Sequence, residues 1–124
     1  MVQFLKTFVG VDENRIESLY DEQATRNNII QKIRLLACCK DITPGDPILI
    51  FYAGHGGEAD PPEGWPVGGP TKRIQMLLPY DFVPRTTKSE VGQGIPDITL
   101  SILLTQLAEA KGNNIVRVTM ALFI

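Results

Sequence analysis

The run Asp46-Pro47-Ile48-Leu49-Ile50-Phe51-Tyr52-Ala53-Gly54-His55-Gly56-Gly57 constrains this chain more than any other segment. Ile48 to Tyr52 has the length and the branched and aromatic content of a buried strand. Gly54, Gly56 and Gly57 follow and free the backbone where that strand is expected to end. Among them stands His55, the only histidine of the chain. The carboxyl ends of strands are where open α/β sheets hold their chemistry. An imidazole can take up and return a proton near neutral pH, so His55, expected at an open sheet edge, is the candidate general base. The N–H of Gly56 is a candidate donor to a developing oxyanion.

The pattern around this run predicts an α/β domain. Met1 to Val9 reads as the last turns of a helix stopped by Gly10, and Arg15 to Tyr20 as a short strand. Thr25 is a candidate N-cap for a helix from Arg26 to about Cys39, with Ile29, Ile33 and Leu36 in one stripe. Asp41 to Pro47 is a turn, and Gly57 to Pro70 a proline- and glycine-rich loop. Ile74 to Leu78 is a second strand, and Phe82 to Ile95 is irregular. Asp97 is a candidate cap for a helix through Lys111, with Leu100, Leu103, Leu104, Leu107 and Ala108 on one face and Gly112-Asn113 as its stop. Ile115 to Ile124 supplies a last strand. Strands alternating with helices at these spacings predict a parallel sheet with right-handed crossovers.

Length and composition narrow the functions. A chain of 124 residues suits one domain. Its net charge is -2, and no basic run exceeds Lys72-Arg73, which argues against nucleic acid as a main partner. No stretch approaches the roughly 20 apolar residues of a membrane span. The first ten residues do not read as a signal peptide, so a reducing cytoplasm is the expected compartment. The two cysteines, Cys38 and Cys39, are adjacent, which suits neither an ordinary structural disulfide nor a zinc site. No cofactor or metal is expected.

The remaining candidates are weaker. Cys38 and Cys39 fall at the start of the Ile48 strand, whereas His55 falls at its end. About eight extended residues, or roughly 25 Å, separate those ends, so both thiols read as structural. Asp81 follows the Ile74 strand. In a parallel sheet it would share the rim of His55 and could orient the imidazole or bind substrate, and it equally suits a turn or helix cap. Glu58, Asp60 and Glu63 read as solvated loop charges, and Trp65 as a local packing anchor. Gly54-x-Gly56-x-x-Ala59 imitates a dinucleotide fingerprint, but Asp60-Pro61-Pro62 forbids the helix that motif must open. His55-Gly56-Gly57 also resembles an esterase oxyanion loop. Ser18, Ser89 and Ser101 lack the flanking glycines of the Gly-x-Ser-x-Gly elbow such enzymes need.

Four segments in order carry a broader resemblance: Asp46 to Gly56, Met76-Leu77-Leu78-Pro79-Tyr80-Asp81, Gly94-Ile95-Pro96-Asp97, and Ala110-Lys111-Gly112-Asn113-Asn114-Ile115. Together they resemble the caspase-like cysteine peptidases of the metacaspase and fungal caspase-domain type. The resemblance covers nearly the whole chain. It implies a three-layer α/β/α fold with a mainly parallel sheet and endopeptidase chemistry on a peptide or protein substrate. It implies His55 as catalytic base and Gly56 at the oxyanion hole. In that family the last strand continues to an Asp-x-Cys-His-Ser-Gly-like motif bearing the nucleophile. Here it runs Val116-Arg117-Val118-Thr119-Met120-Ala121-Leu122-Phe123-Ile124, with no cysteine. Residues 1–124 therefore read as a partial, histidine-bearing domain whose first strand, nucleophile segment and C-terminal part are absent. Without a thiolate there is no covalent route, and the chain is expected to be inactive alone. The alternative is a non-catalytic regulatory module that pairs with itself or a full-length relative through an exposed edge strand.

Overall fold

The structure, a computed structural model, describes residues 1–61, 63–65, 72–83 and 94–123. The N-terminal segment turns as Val2–Phe4 (α1) and widens into a π-type turn over Leu5–Val9. Gly10, at φ 75°, stops it as the sequence predicts, and its N–H donates to the Leu5 carbonyl.

The long helices follow their sequence signals. Helix α2 covers Arg26–Cys38, and the Thr25 hydroxyl accepts the Asn28 N–H at 3.2 Å as a side-chain N-cap. Helix α3 covers Asp97–Lys111 and ends at Gly112, φ 87°. Pro96, not Asp97, holds the N-cap position of α3, with no side-chain cap bond. Leu100, Leu103 and Leu107, spaced three and four apart, form its buried stripe.

Four strands make one mixed sheet. They are Ile48–Ala59 (β1), Ile74–Leu78 (β2), Ile95–Pro96 (β3) and Ile115–Phe123 (β4), in the order β3-β2-β1-β4. Only β1 and β4 run parallel; β1–β2 and β2–β3 are antiparallel. The domain is thus α/β, but the expectation of a mainly parallel sheet is corrected. The reason is local: no helix intervenes between β1 and β2 among the described residues, and a direct return connection gives antiparallel neighbours.

Two other expectations change. Ile16 to Tyr20 forms no strand, because Ile16, Leu19 and Tyr20 do not alternate in twos and so cannot bury one strand face. A 3-10 turn at Glu13–Arg15 leads into it, and an ion pair from Glu17 to Lys32, 2.8 Å, ties it to α2. The expected loop from Gly57 begins later, since Gly57, Glu58 and Ala59 still belong to β1. Residues 62 and 66–70 of that loop, and 84–93 of the stretch from Phe82 to Ile95, lie outside the described residues.

Both long helices pack on one side of the sheet. Ile30 and Ile33 of α2 meet Leu100 and Leu103 of α3 over Leu77 and Ile95, with Tyr52 against the cluster. At the far end the helices are joined by Lys111. Its ammonium donates to the carbonyls of Cys39 and Ile42, each at 2.7 Å, while Gly45 N–H donates to the Lys111 carbonyl. Tyr52 and Gly54 face the helices, so Leu49, Phe51, Ala53 and His55 face the other way. Leu49 pairs with Val116 and Ala53 with Met120 in the parallel register. Leu49, Val116 and Met120 are 43%, 55% and 64% exposed, so this face of β1 and β4 is open, and the third layer of an α/β/α sandwich is not seen among the described residues. No helix there is long and apolar enough to cross a membrane.

Candidate functional site

His55 lies inside β1, not at its end. It pairs with Leu78 of β2 and Leu122 of β4, so the main chain at His55 has a strand on each side while its side chain is exposed. Glycine here allows close approach instead of ending the strand. A Cβ on Gly57 would stand 3.2 Å from the Leu78 methyls. A Cβ on Gly54 would stand 2.6 Å from the Tyr52 hydroxyl and 2.8 Å from its Cζ.

That second contact reveals a residue the sequence reading left in the core. Tyr52 folds along β1 over Gly54, and its hydroxyl lies 2.9 Å from the His55 carbonyl and 3.1 Å from the Leu78 carbonyl. The two acceptors belong to register partners at the last rung of the β1–β2 ladder. Burial pushes the Tyr52 phenol up from its ordinary pKa, because the phenolate would be poorly solvated there. The readable signal was Tyr52-x-Gly54, an aromatic ring and a bare backbone two residues apart on one strand face.

Gly56 is buried in register between Leu77 and Phe123. Asp81 lies three residues beyond Leu78, the register partner of His55. Because β2 runs antiparallel, the chain beyond Leu78 heads back along β1. The Asp81 carboxylate instead accepts the Arg26 N–H of the first turn of α2, at 2.8 Å, and the neighbouring Tyr80 N–H donates to the Ala24 carbonyl. A carboxylate at a helix N-terminus satisfies a free N–H and complements the helix dipole.

Cys38 is exposed and Cys39 half-buried at the end of α2. The Cys39 carbonyl is held by Lys111, close to the turn that starts β1. The seven residue-to-residue steps from Ile48 to His55 correspond to roughly 23 Å. The structure brings no thiol to His55. Among the described residues no group of His, Cys, Asp and Glu side chains is assembled as a metal site.

A hollow of about 250 Å³ lies elsewhere, on the helix side, lined by Gln75, Leu77, Asp97, Leu100, Arg117 and Thr119 among others. It holds opposite charges, Asp97 and Arg117, and does not include His55. Comparison with protein families, curated proteins and solved structures returns no match to this chain.

Proposed function

We propose that this chain is a caspase-like, histidine-bearing module that presents His55 without a nucleophile and does not cleave peptide bonds by itself. One observation carries the reading. His55 sits exposed on β1 directly beside the parallel strand β4, where the resemblance would place the thiol-bearing segment, and its register partner there is Leu122. An imidazole general base needs a nucleophile within hydrogen-bond reach, about 3 Å, and both cysteines of the chain lie at the opposite end of β1. In this reading His55 is the base of the ancestral chemistry, Gly56 the neighbouring oxyanion-hole residue, and a peptide the ligand class.

The test is intact-mass analysis after treatment with a peptidyl acyloxymethyl ketone, alongside turnover of a fluorogenic peptide library. The expected result is no turnover and no adduct that depends on His55. A single adduct that disappears in His55→Ala would overturn the reading.

A second reading, a binding module that pairs by strand addition, is favoured by β4. Its outer edge has no neighbour among the described residues, and Val116 and Met120 are exposed. Sedimentation velocity tests it: concentration-dependent association abolished by Met120→Lys supports self-pairing, and a monomer at all concentrations refutes it.

A further inference from the structure

We infer that Tyr52 is a positioning residue for His55. The inference rests on the reading above, in which His55 is the acting imidazole. Below the rung formed by His55 and Leu78, β1 keeps only β4 as a neighbour and β2 departs. Such a junction is prone to fraying, because the residues of β2 beyond Leu78 no longer pair with β1. The Tyr52 hydroxyl closes it, lying between the His55 carbonyl at 2.9 Å and the Leu78 carbonyl at 3.1 Å. One phenolic proton serves both acceptors, so the hydroxyl ties the two strands together at the residue that carries the imidazole.

The sequence around it is built for this contact. Gly54 leaves the space in which the ring lies, and any side chain there would drive the hydroxyl away. Tyr52 also packs against the cluster of Ile30, Ile33, Leu77, Ile95, Leu100 and Leu103. Tyr52 therefore connects the helix side of the sheet to the main chain of a residue whose side chain emerges on the opposite side. Its effect on His55 is through backbone placement, with no contact to any reacting atom.

The chain has one histidine, so its ring gives a single assignable resonance. The experiment follows the His55 ring carbon–proton signal against pH, together with amide hydrogen exchange, in the full chain and in Tyr52→Phe. The expected result is a displaced or doubled ring signal with an altered pH profile, and about tenfold faster exchange at the His55 and Leu78 amides, the size of one lost hydrogen bond. Exchange alone would follow any loosening; the ring profile reports position. A second probe keeps the ring shape: 3,5-difluorotyrosine at position 52 ionises at lower pH, and the His55 signal is expected to show an inflection matching the fluorine titration. Unchanged His55 profiles in both proteins would overturn the inference. The labelling assay asks only whether a thiol reaches His55, so its failure is a separate result.

Discussion

Tyr52 reaches three residues along its own strand to place its hydroxyl 2.9 Å from the carbonyl of His55. The hydroxyl fits there because Gly54, two residues on and on the same strand face, carries no side chain. The glycines beside the histidine therefore carry a packing role as well as a conformational one.

Gly54→Ala sets a Cβ within 2.6 Å of the Tyr52 hydroxyl. It is expected to destabilise the chain by about 1–3 kcal/mol, as overpacking does. In a Tyr52→Leu background the same substitution is expected to cost much less, because its collision partner is gone. Urea unfolding of the four chains of this cycle measures the coupling, and additive costs would contradict the contact.

The alkaline limb of stability is the second outcome. The folded chain holds Tyr52 protonated above its ordinary pKa of 10.0, whereas the unfolded chain releases that proton near 10.0. The unfolded state then binds fewer protons, so stability falls as pH rises through and beyond that value. The contribution is fully present below pH 10.0 and is lost above it. Tyr52→Phe removes this term, so its urea midpoint relative to the parent chain is expected to rise on moving from neutral pH to above pH 10.0.

Much of this fold was legible in residues 26–59, 74–83 and 94–123. Thr25, Gly112 and the Leu100-Leu103-Leu107 stripe give local signals of helix boundary and buried face, and the structure follows them. Sheet direction was not legible, because it depends on how β1 joins β2, and single-strand patterns carry no direction. The length of β1 was misjudged for a related reason. Gly54, Gly56 and Gly57 read as a stop, yet pairing of Gly54 with Ala121, of Gly56 with Leu77 and Phe123, and of Gly57 with Met76 keeps them in the ladder. For the site, His55 stood out as the lone histidine, whereas Tyr52 did not, since its function lies in where the hydroxyl lands.

Lys111 joins the ends of α2 and α3 through the carbonyls of Cys39 and Ile42. Lys111→Met keeps most of the aliphatic stem and removes the donors. A loss of about 1.5–3 kcal/mol is expected for hydrogen bonds from a charged group, read from thermal or urea unfolding.

Leu107 is fully buried on α3, whereas Ile102 on the same helix is 53% exposed. Leu107→Ala is expected to cost about 2–5 kcal/mol through lost burial and a cavity. Ile102→Ala is expected to stay within about 1 kcal/mol. Equal losses would contradict the assignment of the buried face.

The most direct test of the account is a thiol placed where His55 faces β4. Leu122→Cys, made with Cys38→Ser and Cys39→Ser, leaves one thiol at the register position of His55. An imidazolium beside a thiol favours the thiolate. The measurement is the iodoacetamide alkylation rate just below neutral pH, with and without His55→Ala. The rate is expected to be about tenfold higher when His55 is present, equivalent to one pKa unit on the thiol. Equal rates in the two folded chains would contradict the parallel placement of β4 beside His55, and with it the proposed site.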